Sequence, residues 1–440
     1  MLQPDKNTAL SIFTQAIKAV QPSALIPAHL KLVNDALLIG GQHLLLKNFD
    51  GIYVLSVGKA AAAMAQVAEN ILGNIITDGL VVTKYHHSLP LEYCKTIEAG
   101  HPVPDENGQM AALSILEFSQ QLTSSSLLLC FISGGASALI ADVAEGITLH
   151  DLQALSTILL QCGAHIQEIN TVRKHISFLK GGQLVKHAKG ATIFSFIISN
   201  VRGDDMSVIA SGLTVADVST YADAWQALDK YALTEKVPDT IKTRLLAGVQ
   251  KTIDETPKPG DPAFNNVHNT IIGNNGTALQ VATKQATKLG FTVVEVDNIL
   301  HGEARDAATR FVQTLLDYSG KRPACLLAGG ETTVTIKGNG KGGRNQEFVL
   351  AALCELIKRE VPLSLFPVIL CGGTDGTDGP TEAAGAVIDI NIFLNINKLA
   401  TNVEKYLNAN DSFHFFESFG ALITTGATQT NVMDVAVALI

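Results

Sequence analysis

The stretch Ile52–Ile71, IYVLSVGKAAAAMAQVAENI, decides how the chain is read. It opens on an apolar run, Ile52–Val57, breaks at Gly58-Lys59 and continues as an alanine-rich helix, Ala60–Ile71. An uninterrupted apolar run of that length reads as a strand buried on both faces, and the glycine as the turn into the helix. The alternation recurs. Gly79–Thr83, Leu127–Ile132 and Thr192–Ser199 read as strands, with helices over Gly108–Gln121 and Leu149–Gln161. Apolar strands alternating with helices predict an α/β fold, a parallel sheet covered on both faces. In such sheets ligands bind beyond the carboxyl ends of the strands, in the loops that lead into helices.

The chain has 440 residues, more than one ordinary core holds, so two domains are expected. A hydrophobic content of 47% excludes a disordered chain. The formal net charge of −9 argues against a general nucleic-acid binder and leaves room for a local basic pocket. The cysteines are scattered without a CxxC pair, and Cys130, Cys325 and Cys371 lie in apolar runs as buried, reduced thiols. The N-terminal MLQPDKNTAL lacks a signal-peptide pattern, and the most apolar window, Leu127–Ala141, is too short to span a bilayer. The expectation is a cytoplasmic enzyme for small molecules, with neither nucleic acid nor membrane as partner; a homodimer is compatible with it. The strongest linker signal, TPKPGDP at Thr256–Pro262, places a first domain at 1–255 and a second at 263–440. Ahead of the first strand, residues 8–20 read as an amphipathic helix.

The strand-end loops carry the chemistry. Gly58-Lys59 sets an ammonium at the start of a helix, which suits an anion-binding or catalytic lysine; a solvated first-turn lysine is the alternative. The turn matches neither GxGxxG nor the P-loop. His101, in GHPVPD, reads as a structural turn residue. Ser133, Gly134, Gly135 and Ser137, in ISGGASAL, form a loop that can cradle phosphate or carboxylate oxygens. Arg173, Lys174, His175 and Lys180 read either as a solvated basic face or as a cationic cluster for a phosphorylated ligand. Asp204 and Asp205, in SNVRGDD, suit a metal or general-base role, or a helix cap.

The second half turns on LLAGGETTVTIKGNGKGGRNQEFVLA, residues 326–351. A buried strand, Cys325–Ala328, precedes Glu331; an alternating strand, Thr333–Lys337, follows, then the loop 338–347 and a helix, Phe348–Ile357. Four glycines with Lys341, Arg344 and Asn345 at a helix start read as an anion site, with a solvated hairpin loop as the alternative. The Asp–Gly repeat at Cys371–Gly385 lacks the spacing of a calcium loop and reads as a flexible polar loop.

Taken in order, SVGKA, GHPVPDENG, SGGASAL, NTVRKHIS, SNVRGDD, GGETTVT, GKGGRNQE, GTDGTDGPT and TNVMD resemble class II glycerate kinase, whose C-terminal half is called the MOFRL domain. The resemblance implies ATP- and Mg²⁺-dependent transfer of the γ-phosphoryl group to D-glycerate, typically giving 2-phosphoglycerate. It implies two α/β domains, a Rossmann-like N-terminal one and a smaller mixed C-terminal one, with the site in the cleft between. By position, Lys59 is the family's active-site lysine, Arg344 its arginine and Ser133–Ser137 its serine–glycine loop. The family's first acidic position is Asn200 here, a departure that implies either low activity or metal and proton-acceptor duty moved to Asp204 or Asp205. The expected metal carboxylates are Asp205 and Glu331, with Asp204 catalytic. Members are often labelled hydroxypyruvate reductase, which makes a nicotinamide-dependent reductase one rival; a non-catalytic binder of small phosphorylated acids is another.

Overall fold

A strand that is apolar on both faces gains from burial only when helices cover it, and that requirement organises the chain. The computed structural model describes residues 4–297, 299–399 and 401–440. They fall into two units, Leu25–Ile272 on one side and Met1–Ala24 with Gly273–Ile440 on the other.

The first unit holds strands β1 (Gly51–Val57), β2 (Ile76–Lys84), β3 (Cys94–Ala99), β4 (Ser126–Ile132), β5 (Thr192–Ile198) and β6 (Val267–Gly273), ordered β3-β2-β1-β4-β5-β6. The pairings from β3 through β5 are parallel. This order reverses between β1 and β4, the switch point at which a doubly wound sheet opens a crevice. Every residue of β4 is buried. Val57 is the Cα partner of both Val82 and Ile132, so the turns after β1 and β4 leave the sheet side by side. Helices Ala61–Leu72, Glu106–Gln120 and Leu149–Gln161 stand where the sequence placed them, the last opened by a Thr148–Asp151 capping box. A small antiparallel sheet (Leu30–Val33, Ala36–Ile39, Gln42–Leu45) was not anticipated.

Thr256–Pro262 is not a linker. Thr256 is buried and donates to Asp217 Oδ2 at 3.0 Å, while Asp217 N donates to Pro257 O at 2.8 Å. The chain then returns as β6 to the first sheet, so the division falls at Ile272–Gly273 rather than within 255–263.

The second unit holds β7 (Thr292–Glu295), β8 (Ala324–Gly330), β9 (Val368–Gly373), β10 (Gly385–Ile388), β11 (Leu422–Ile423) and β12 (Asp434–Leu439), ordered β7-β8-β12-β9-β10-β11. Only β7–β8 is parallel, so the sheet is mixed. The helix Lys6–Ala19 belongs here, against the 1–255 assignment. Its face of Ile12, Phe13, Ala16 and Ile17 is buried, and the Phe13 ring lies 2.6 Å from where a Gly372 Cβ would stand. Each large side chain so buried contributes roughly 1.5–3 kcal/mol. The Thr333–Lys337 strand does not form: β8 already has β7 and β12 on its edges, and a lone bridge joins Thr333 to Glu303. All six cysteines are free, and burial pushes Cys130 and Cys325 up to about 12. Among the described residues no helix is long and apolar enough to cross a membrane.

Candidate active site

At the switch point two backbone bonds tie the turns together: Lys59 N donates to Gly134 O at 2.9 Å, and Ser133 N to Val57 O at 3.0 Å. Ser133 is 0% exposed and its Oγ accepts from Ala60 N at 3.1 Å. That hydroxyl therefore serves the start of the helix Ala61–Leu72 and is closed to a ligand. A Cβ on Gly58 would stand 2.3 Å from it, so only glycine lets the turns approach. Gly135 has φ +91°, a conformation glycine adopts without steric cost. Around it the N–H groups of Gly134, Gly135 and Ala136 donate to no acceptor among the described residues. Successive free N–H groups make a concave positive surface for an anion. Lys59 Cγ and His101 Nε2 lie 3.1 and 3.2 Å from the point a Gly135 Cβ would occupy, and the Asn200 amide packs against Gly134. Ser137 Oγ is 3.0 Å from Ser211 Oγ, which donates to Asn170 Oδ1 at 2.9 Å.

Arg173 lies three residues beyond Asn170 on the helix Ile166–His175, hence on the same face. It is half-buried and has no ion pair or hydrogen bond among the described residues; burial pulls its pKa down. A desolvated guanidinium without a carboxylate lacks its counter-charge. Its neighbours form neither a solvated basic face nor a free cationic cluster, because they are buried and partnered. Lys174 Nζ is 3.2 Å from Asp217 Oδ1 with both groups buried. His175 Nδ1 is 2.7 Å from Thr171 O, and burial pulls this ring down. Lys180 bonds Asp142, and its Nζ donates to Ile140 O at 2.7 Å. Asp205 is exposed and accepts from Ser207 N at 2.9 Å, a turn cap; Asp204 N donates to Val201 O at 3.1 Å. Among the described residues no three His, Cys, Asp or Glu side chains form a metal-holding group, and Glu331, paired in expectation with Asp205, lies in the other unit.

In the second unit the glycines of 338–343 have a different purpose. A Cβ on Gly338 would stand 2.2 Å from Ala409 O, on Gly340 2.4 Å from Asp411 Cβ, and on Gly342 2.2 Å from Ser412 Oγ. The loop lies flat on that segment. Lys337 N and Gly338 N donate to Asn410 Oδ1 at 2.8 and 2.9 Å, and Lys341 N to Asp411 Oδ1 at 3.0 Å. The Lys341 ammonium sits 4.1 Å over the Phe413 ring. At the start of the helix Arg344–Lys358 an acid of the protein takes the anion's place. Asp378 accepts from Asn345 N at 3.0 Å and Gln346 N at 2.8 Å. Burial pushes its carboxyl up to about 7 against the pull of those N–H groups. Asn345 is 1% exposed, donates Nδ2 to the same carboxylate and accepts from Cys371 Sγ, so it too is internal. The polar loop 371–385 is thus anchored rather than flexible, with Thr374, Asp378 and Thr381 buried.

Arg344 has three acidic contacts. Nε lies 2.6 Å from Asp434 Oδ2 and Nη2 2.9 Å from Oδ1, a bidentate grip, while Nη1 meets Glu331 Oε1 at 2.7 Å. The Asp434 side chain is 1% exposed, that of Glu331 43%. Burial works against the guanidinium's charge, but Asp434, Glu331 and Asp378 outweigh it and hold its pKa above the ordinary arginine range. One side of Arg344 is therefore held by a buried acid and the other by a more exposed one. A cavity of about 490 Å³ opens there, lined by Arg344, Glu331, Thr332, Val334, Ile336 and Pro380.

Sequence reasoning missed Asp434 and Asp378. Asp434 pairs with Gly330 at the end of β8, a register that no local pattern in the sequence carries.

Residues 8–246 match the family described as Domain of unknown function (DUF4147), and residues 324–434 match the MOFRL family. The chain is 38% identical over 442 residues to the Glycerate 2-kinase of Pyrococcus horikoshii, covering 99% of this chain and 97% of that one. It is 38% identical over 450 residues to the D-glycerate 2-kinase of Thermotoga maritima, covering 100% of both. The crystal structure of a glycerate kinase from Thermotoga maritima superposes with a TM-score of 0.84, at 37% identity and 99% coverage of each chain. Motif order, doubly wound first sheet and full-length similarity agree: the chain belongs to the glycerate kinase family that carries the MOFRL domain.

Proposed function

We propose that this protein transfers the γ-phosphoryl group of ATP to the C2 hydroxyl of D-glycerate, giving 2-phosphoglycerate. Two relatives named for glycerate 2-kinase activity, each matched over nearly its whole length, support the substrate. The observation that carries the reading is the switch-point turn, where three N–H groups without acceptors among the described residues stand beside Lys59. A loose phosphoryl-transfer transition state is stabilised chiefly by positioning and charge neutralisation, which is what such a turn supplies. In this reading the backbone of Gly134–Ala136 holds phosphoryl oxygens and Lys59 neutralises their growing charge. Ser137 and Arg173 receive the glycerate carboxylate. In the second unit Arg344 exchanges Glu331 for a ligand oxygen while Asp434 keeps the guanidinium plane fixed.

A magnesium ion would supply charge neutralisation on the nucleotide phosphates. Asp205, exposed at its turn, and the adjacent Asp204 would hold an ion that keeps most of its phosphate and water ligands, for which one or two carboxylate oxygens suffice. Reduction of hydroxypyruvate has less support: the turn after β1 reads Gly58-Lys59-Ala60, without the GxGxxG of dinucleotide sites. A paired assay tests the reading. D-glycerate with Mg·ATP should release ADP, with the phosphate located by phosphorus NMR, and hydroxypyruvate with NADH or NADPH should show no absorbance loss. Oxidation of the nicotinamide without ADP release would reverse the assignment.

A further inference from the structure

Resting on the kinase reading above, we propose that the His101 imidazole accepts the proton of the glycerate hydroxyl during transfer. β3 ends at Ala99, so Gly100-His101 leaves the same carboxyl edge of the sheet as Gly58-Lys59 and Ser133-Gly134. The ring reaches Gly135: its Nε2 and Cδ2 lie 3.2 Å from the Cβ position there, where the Lys59 stem also arrives. With no side chain at Gly135, imidazole and lysine face each other over the anion-binding turn.

The loop fixes its own backbone. Asp105 Oδ1 accepts from Gly108 N at 2.9 Å to cap the helix Glu106–Gln120, and its Oδ2 accepts from Tyr85 Oη at 2.6 Å. A Cβ on Gly100 would stand 2.6 Å from Val103 O, so the loop is folded back on itself. The ring at its tip is half-buried.

The other side chains at the turn do not suit the task. An ammonium offers donors only, and the Asn200 amide does not take a proton near neutrality. Asp204 and Asp205 are the carboxylates that the reading above gives to the metal. An imidazole both accepts a proton and titrates near neutral pH. In the step, the hydroxyl oxygen bonds to the γ-phosphorus as the bond to the bridging oxygen breaks and its electron pair leaves with ADP. The hydroxyl proton passes to the imidazole, and the imidazolium returns it to water after product release. The titratable groups on the elements around the ring are Lys59, Tyr85, His86, His87 and Asp105, with His87 Nδ1 3.3 Å from Lys59 O.

The test is the pH–rate profile of glycerate-dependent ADP release. The wild-type rate should fall at acid pH, and His101→Gln should lower kcat about 100-fold or more and flatten that acid limb. Calorimetric affinities for glycerate and nucleotide should stay unchanged, and His101→Ala should regain rate when imidazole is added. A purely structural role moves neither the limb nor the rescue. The proposal is overturned by a His101→Gln enzyme of normal kcat with its acid limb intact, by loss of both affinities without imidazole rescue, or by Asp204→Asn removing the limb instead. A wild-type protein that releases no ADP with glycerate is a separate failure, that of the kinase reading, and takes the proposal with it.

Discussion

Two loops of similar composition use their glycines to opposite ends. Ser133–Ser137 and 338–344 both set a Gly–Gly pair before a helix and bring a cation near. In the first, among the described residues, three N–H groups lack acceptors and Arg173 lacks an acid. In the second, Asn410, Asp411 and Asp378 take the N–H groups, and Asp434 and Glu331 take Arg344. Donors alone do not make an anion site. What counts is how many of them remain after the chain has brought its own acids to them.

The comparison can be broken most sharply at Arg344, the one cation of the matched loop given a role in transfer. Arg344→Ala should lower kcat about 10³-fold or more, by analogy with arginines that stabilise transferring phosphoryl groups. A folded variant with near-normal turnover would leave the second loop with a purely structural purpose.

Stability sharpens the same contrast. Asp434→Ala removes the buried half of the Arg344 pair and should cost about 3–5 kcal/mol, read by urea unfolding. Arg173→Met strands no acid, so it should leave stability unchanged or raised while increasing KM for glycerate about tenfold, near 1.4 kcal/mol. Equal destabilisation by the two changes would erase the distinction between matched and unmatched cations.

A smaller effect lies in the pH dependence of the matched loop. The Asp378 carboxyl titrates near 7 in the fold, above the ordinary carboxylate value of about 4. The protonated form therefore contributes stability that is complete below about pH 4 and is lost as pH rises through 7. Asp378→Asn cannot ionise. The wild type's stability relative to this variant should fall between pH 4 and pH 7, and a flat difference across that window would place the Asp378 titration elsewhere.

Local pattern carried the first sheet well. Strands β1, β4 and β5 are predominantly apolar, buried runs, and the strand-end rule selects the loops that hold Lys59, Gly134 and Gly135. What escaped depends on partners distant in the chain. Lys174 and Lys180 look like a solvated face until Asp217 and Asp142 arrive from 43 and 38 residues away. Asp434, 90 residues beyond Arg344, reaches it by starting the strand β12 that inserts between β8 and β9. The glycines of 338–343 advertise backbone freedom, but the sequence does not say that the atoms coming close are Ala409, Asp411 and Ser412 rather than a phosphate.

The most direct measurement compares two lysines on the two loops: kcat for glycerate-dependent ADP release in Lys59→Met beside Lys341→Met. The Lys59 stem lies 3.1 Å from the Cβ position of Gly135 in the first loop, and the Lys341 ammonium lies 4.1 Å over the Phe413 ring in the second. The account predicts a loss of about 10³-fold for Lys59→Met, and for Lys341→Met a near-normal kcat with at most about 1 kcal/mol of stability lost. Normal turnover in Lys59→Met with collapse in Lys341→Met would contradict it and move the site of phosphoryl transfer to the second loop.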